Sequence, residues 1–452
     1  MKTNKELTQE FAELLFADQA QKDADIQAFS ECMENSTSKT KGRTTPASPL
    51  PKLFNAQSRD FLVKTGTRIS RILGRVVEEY LQNPEYRKAF HFDPRIVDLI
   101  CIDPGYECKV PFGRFDVFYD EENNRAKFCE FNSDGSSGMG HNVNIDQACH
   151  KTSAMREFCG KHDFDSNIGG ASLGWAKSFL EIYETFEFAK RNPSIAIVDF
   201  IDMGNSFDFL LFKDIFEKLG FRLLICDVRE LQYDGRVLKS KDGQAIDAIM
   251  RRCVSTDVLN HWEESQNLIA ATRDKNVALI GGFFGSIIHD KQTMAVLRRP
   301  ETLNFLDPID RVFVHDFVPV SGILTPDFAE EHQVFENPSK WVVKPSDLYA
   351  SKNVLIGKDF ADKQVDWQKA LQEILDSGDI YLCQEFVEPY RSLSLPLSYD
   401  KSDYQKEPAL YNNSTGIFMT NGKFSEAFTR LGPKYNVGTQ AGAHCTATYF
   451  VK

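Results

Sequence analysis

The spacing of hydrophobic residues changes several times along the chain, and each change marks a predicted element. Residues 3–35 repeat with the helical period, charges running through the opening stretch, and predict one or two helices. Residues 36–51, STSKTKGRTTPASPLP, are polar, basic and rich in Pro, Ser and Thr, which predicts a linker or mobile loop. From 56 to 82, Phe61, Leu62, Ile69, Ile72, Leu73, Val76, Val77, Tyr80 and Leu81 share one broad stripe and predict a long helix. Its apolar face suits its own sheet or a partner chain, so a homo-oligomer stays open. Arg114 to Phe118 alternate as a strand does, Lys127 to Asn132 form a return strand, and Asp120 to Arg125 supply the turn. Residues 143–190 read as mainly helical.

At Ser194 strand and helix begin to alternate: SIAIVDFI, helix 207–219, RLLICD, DAIMRR, a helix near 262–272, then NVALIGG. That order predicts a parallel, Rossmann-like subdomain. Gly204 follows the first strand without a GxGxxG, so a dinucleotide fingerprint and a dehydrogenase are not supported. From about 310 strands predominate, with hairpins at 341–358 and 416–430, the second turning at Asn421-Gly422. Helix 366–377 and strand 381–387 lie between them. The chain thus divides into an N-terminal helical region (1–95), a part carrying the first hairpin (96–190), the Rossmann-like part (191–300) and a strand-rich remainder (301–452).

With 452 residues the chain is too long for one simple core. Its formal net charge of −12 argues against nucleic acid as a general partner while leaving room for a local basic pocket. The ten cysteines are scattered without CxxC spacing, which predicts reduced thiols in a cytosolic protein and no zinc site. No secretory signal and no apolar run of membrane-span length is visible, so a cytoplasmic location without membrane contact is expected.

The hairpin carries the candidate chemistry. Side chains two apart share a face, so Arg114 sits beside Asp116 and Glu130 beside Asn132. If the strands pair, two carboxylates, an amide oxygen and a guanidinium converge. Hard oxygen ligands suit Mg²⁺, and an adjacent arginine can neutralise a transferring phosphoryl group. Charged hairpins ordinarily form the solvated face of a sheet. Here Glu130 and Asn132 interrupt the apolar residues Phe128, Cys129 and Phe131, which predicts a buried strand with Cys129 on the core face. The following turn, Ser133-Asp134-Gly135-Ser136-Ser137-Gly138, is small enough to approach a ligand closely.

These motifs, in this order, resemble the circularly permuted ATP-grasp ligases, above all the synthetase domain of glutathionylspermidine synthase. The resemblance spans roughly residues 56–450. It implies an α/β and α+β ATP-grasp fold with a Rossmann-like subdomain, ATP and Mg²⁺ as cofactors, and Asp116, Glu130 and Asn132 as metal ligands. Arg114 would stabilise an acyl phosphate transition state. The nucleotide lysines would be Lys291 and Lys344, the latter in a Lys-Pro pair. Gln384 and Glu385 would form the adenine hinge, and Arg430 the late phosphate arginine. The loop after Lys344-Pro345, Ser346 to Lys352, lacks the glycines usual there. No amidase domain fits in this length, and the turn at 133–138 departs from the glutathione-binding version, so glutathione is not implied.

The expected activity is ATP-dependent ligation of a small-molecule or peptide carboxylate to an amine through an acyl phosphate. Ser133, Ser136 and Ser137 would hold the acid. Arg252, at the end of a predicted strand, would read a substrate carboxylate or form a structural ion pair. The rivals are an ATP-dependent small-molecule kinase on the same fold and a non-catalytic nucleotide sensor or scaffold.

Overall fold

The computed structural model describes residues 2–452 except 41, 137, 166–169, 203–206, 347–352 and 398–406. Its centre is a large, mostly antiparallel sheet. Across it lie Ala47–Asn55, His444–Val451, Lys423–Gly432, Ala409–Thr420, Phe112–Asp120 and Arg125–Asn132, with Arg391–Ser394 added beside Ala409–Thr420. Only the first two of these run parallel. The predicted long helix is Ala56–Gln82, capped by the Asn55 carbonyl oxygen of the side chain accepting the Ser58 N–H. Its stripe faces this sheet, and Gly66 permits the approach: a Cβ there would lie 2.7 Å from Met419 Sδ.

The expected hairpin at 416–430 is longer than its pattern, joining Ala409–Thr420 to Lys423–Gly432. Asn421 and Gly422 have φ of 48° and 72°, the left-handed pair that a two-residue hairpin turn requires.

Residues 36–51 are not a linker throughout. Ala47–Asn55 is a buried strand paired with His444–Val451. The prolines at 46, 49 and 51 disguise it, because each lacks a ladder N–H. Side-chain hydroxyls supply donors instead: Thr446 Oγ1 donates to the Leu50 carbonyl at 2.7 Å. The N-terminal helices Asn4–Phe16 and Gln19–Glu34 pack over this side.

The Rossmann-like part forms a four-stranded parallel sheet, in spatial order Ala278–Ile280, Ala248–Arg251, Ile195–Asp199, Leu223–Asp227. The strand order reverses beside Ile195–Asp199 and Ala248–Arg251. Their carboxyl ends carry Asp199, Arg251 and Arg252, where open parallel sheets place ligands. A further small antiparallel ribbon, Gln232–Tyr233, Leu238–Lys239 and Ala245–Ile246, gave no sequence signal because its strands are two residues long.

Beyond the expected change at 310, the helix Pro308–Phe317 comes first, started by Asp307 accepting the Asp310 N–H. A four-stranded antiparallel sheet follows, in order Ser321–Ile323, Tyr381–Glu385, Trp341–Pro345, Leu355–Ile356. It has its own small core of Val334, Val343, Trp367, Leu371 and Cys383. It is called the upper sheet below. Among the described residues no helix is long and apolar enough to cross a membrane, and all ten cysteines are free.

Candidate functional site

The hairpin Phe112–Asp120 and Arg125–Asn132 pairs Arg114 with Asn132 and Asp116 with Glu130. All four side chains therefore stand on one face. The register then slips, so that Val117 faces Phe128 and Cys129 is left over as a β-bulge. The bulge lets Phe128 and Phe131 both enter the core despite their odd spacing. Cys129 is half-buried instead of lying on the core face by simple alternation, and burial pushes its thiol up to about 12.

Asp116 is wholly buried and is the node of the site. Arg114 grips it bidentately, Nε to Oδ1 at 2.8 Å and Nη2 to Oδ2 at 3.0 Å. Arg430, two strands away, adds Nη2 to Oδ2 at 2.6 Å. Asn132 Nδ2 lies 3.4 Å from both Asp116 Oδ2 and Glu130 Oε1. The strand between has glycine at the crossing: a Cβ on Gly416 would meet Asp116 Oδ1 at 2.8 Å and Arg114 Cδ at 2.9 Å. Burial alone would raise the Glu130 carboxyl, but Lys291, Arg430 and Arg114 outweigh it and hold it well below its ordinary value.

The upper sheet reaches this floor through Lys344. Its Nζ donates to the Cys129 carbonyl at 3.1 Å and to Gln384 Oε1 at 2.7 Å. The bulge explains the first bond, because the extra residue is left out of the regular ladder. Burial pushes the Lys344 ammonium down, with Cys129 and Glu130 opposing. Lys291 begins the helix Gln292–Val296, and its backbone N–H bonds the Ser346 carbonyl at 3.1 Å. Its charge is felt at both Glu130 and Lys344. Gln384 is buried; Glu385 beside it is exposed, accepting the Val320 N–H at 3.3 Å.

The turn after Asn132 divides in function. Ser133 is already spent, its Oγ donating to the Phe112 carbonyl at 2.8 Å. Among the described residues Ser136 Oγ, which is buried, has no hydrogen-bond partner. Ser137 and residues 347–352 of the loop after Lys344 lie outside the described residues. Asp134, which the sequence reading passed over, is the structural anchor: it meets Arg251 Nη2 at 2.5 Å and accepts the Ser255 N–H at 2.8 Å.

Two adjacent arginines at the parallel sheet's carboxyl edge have opposite fates. Arg251 is saturated, donating to the Gly281, Gly282 and Cys253 carbonyls. Arg252 is equally buried, yet among the described residues its Nε and Nη1 have no hydrogen-bond partner. Its Nη2 lies 4.0 Å from Asp208 Oδ2, and the guanidinium sits over Phe209. A buried cation with bare donors is poised for an anion.

Asp199, on the same edge, is pushed up to about 6 by burial, with Arg252 opposing. Its folded value exceeds the unfolded one, so the stability it lends is full at low pH and lost as pH rises through 6. Moving from near 3.8 to about 6 corresponds to about 3 kcal/mol. Asp199→Asn keeps the acceptor for the Phe200 N–H and is expected to raise the urea midpoint at pH 8 but not at pH 4. An equal gain at both pH values would refute this cause.

The residues present suit Mg²⁺. Among the described residues no three His, Cys, Asp or Glu side chains gather as a metal cage. Mg²⁺ seldom uses such a cage, taking one or two carboxylates together with substrate phosphates. Asn132 turns its nitrogen toward the two carboxylates; turned over, it presents its oxygen to the same place.

No family model and no curated protein matches the chain. Solved structures do match. A glutathione synthetase-like effector, GSS30, from Globodera pallida in its apo form superposes with a TM-score of 0.61 at 14% identity, over 100% of this chain and 98% of its own. The chain has the fold of that synthetase-like protein. A Methylobacillus flagellatus KT protein provisionally named a gamma-glutamylcysteine synthetase gives a TM-score of 0.41 at 11% identity, over 85% of both chains.

Proposed function

We propose that the chain is an ATP-dependent carboxylate–amine ligase that forms an amide, peptide-like bond through an acyl phosphate. One observation carries the reading: Arg114, Asp116, Glu130, Asn132 and Arg430 meet on one sheet face directly beneath Lys344. The likeness in fold to a glutathione synthetase-like protein supports it.

Phosphoryl transfer needs positioning and charge neutralisation more than protein nucleophiles. An oxygen of the acid substrate attacks the γ-phosphorus of ATP, the bridging P–O bond breaks, and ADP leaves. The amine nitrogen then attacks the acyl carbon, forming C–N as C–O breaks; phosphate departs and the nitrogen loses a proton. Lys291 and Lys344 pair with the α- and β-phosphates and Arg430 with the γ-phosphate. Gln384 and Glu385 edge the adenine. Arg114 lies where charge develops on the acyl phosphate. Asp116, Glu130 and Asn132 would hold Mg²⁺, which neutralises phosphate charge when bound. With nucleotide present, both guanidiniums turn from Asp116 toward phosphate oxygens. Arg252 takes a carboxylate of the acid substrate on its bare nitrogens, and the 133–138 turn lines that end through backbone N–H groups and Ser136.

The test is ADP release screened over amino acids, short peptides and polyamines, with the product weighed by mass spectrometry. Amine-dependent ADP release with an amide product is expected. A phosphorylated acid accumulating as final product without amine would establish a kinase instead, and ATP binding without turnover across the screen would refute ligation.

A further inference from the structure

Gln384 lies on an inner strand of the upper sheet, opposite Ser321 on one side and Val342 on the other. Lys344 is two residues from Val342, so alternation puts Ser321, Gln384 and Lys344 on one face, with Gln384 and Lys344 as diagonal neighbours. The side-chain bonds follow that row. Gln384 Oε1 accepts from Lys344 Nζ at 2.7 Å, and Nε2 lies 3.4 Å from Ser321 Oγ, whose own proton goes to the Pro319 carbonyl. An ammonium only donates, which fixes the end of the amide that faces it. Glu385, one residue on, belongs to the opposite face and is exposed.

This amide is suited to holding a lysine ready for a phosphate. It is 4% exposed, so packing fixes its place. It is neutral, and so is the bulged Cys129 carbonyl that takes Lys344 Nζ at 3.1 Å from the floor. Two acceptors therefore hold the ammonium without cancelling its charge, whereas a carboxylate in the same place would pair with it. They leave one N–H of the ammonium, on a four-carbon stem whose rotamer freedom they have already removed. A ligand oxygen that meets this N–H is spared that ordering cost.

We infer that the Gln384 side chain is a positioning residue: with the Cys129 carbonyl it fixes the Lys344 ammonium above Asp116 and Glu130, where the remaining N–H meets a phosphate oxygen. The amide is thereby committed to Lys344 and not to the adenine. The role rests on the ligase reading's assignment of Lys344 to the nucleotide phosphates.

Titration calorimetry of the full chain with ADP and Mg²⁺ tests this without acid or amine. Gln384→Met, similar in length and without the amide oxygen, is expected to weaken ADP about tenfold or more, the scale of one hydrogen bond to a charged group. Lys344→Met is expected to weaken it further. Because Gln384 acts through Lys344, the double variant will bind within about twofold of Lys344→Met alone. Gln384→Asn keeps a buried amide but ends one methylene short of Lys344; it will match Gln384→Met, so the test survives if the thioether unsettles the fold. Parent-like ADP affinity in a folded Gln384 variant would overturn the inference. Losses that add in the double variant would do so too, since Gln384 would then touch the nucleotide itself. A parent chain that does not bind ADP would remove both this role and the phosphate assignment of Lys344. The ligase reading fails separately, by the absence of an amide product in the ADP-release screen, and a kinase found there would leave Gln384 in this role.

Discussion

An Arg114→Ala variant will remain folded and lose substrate-dependent ADP release by about 10³-fold, the scale on which a charge-neutralising arginine acts in phosphoryl transfer. The fold survives because Asp116 keeps Arg430 at 2.6 Å when Arg114 is removed. The loss should fall on kcat, since the guanidinium is most needed where charge develops. Asp116→Ala is a poorer test, although the hairpin pattern alone recommends it. It would leave two guanidiniums facing each other without their common carboxylate, mixing a folding defect with a catalytic one. Glu130→Gln avoids this, being isosteric and a third exposed at the side chain. Steady-state ADP release in Arg114→Ala within tenfold of the parent would remove the arginine from the chemistry.

The largest stability effect will come from Asp134→Ala or Arg251→Leu, at about 3–5 kcal/mol each, because either leaves an uncompensated buried charge or a set of bare acceptors. The two side chains are 2% and 1% exposed. Removing Asp134 also strands the Ser255 N–H; removing Arg251 strands the Gly281, Gly282 and Cys253 carbonyls. The double variant should cost much less than the sum, since most of each single loss is the partner left behind. Urea midpoints of the three variants measure this. Additive losses would mean that the pair does not act as a unit.

How much of this was legible in the sequence depended on how local each cause is. The helix 56–82 was legible because its stripe repeats over many turns, and the Asn421-Gly422 turn because two positive φ values demand such residues. The meeting of Arg114, Asp116, Glu130 and Asn132 follows from strand alternation and a short turn, and the pairing bears out that geometry. The strand Ala47–Asn55 was hidden because prolines mimic a loop and its partner lies nearly 400 residues on. Which of Arg251 and Arg252 would be saturated was unreadable, since two of the three carbonyls that decide it come from Gly281 and Gly282 in another segment. The bulge at Cys129 was missed for the same reason: its cause is the partner strand's register. A signal for Asp134 did exist, a carboxylate in a turn of small residues facing the strand ends of a parallel sheet.

The parallel pairing of residues 47–55 with 444–451 also orders the birth of the molecule. During synthesis the central sheet lacks this strand pair until residues 444–451 have emerged from the ribosome. The parallel sheet of 195–280 and the upper sheet, each built from nearer neighbours in sequence, can condense earlier. Until then Ala47–Asn55, apolar and already made, must wait unpaired, and that interval is when a chaperone would have most to do.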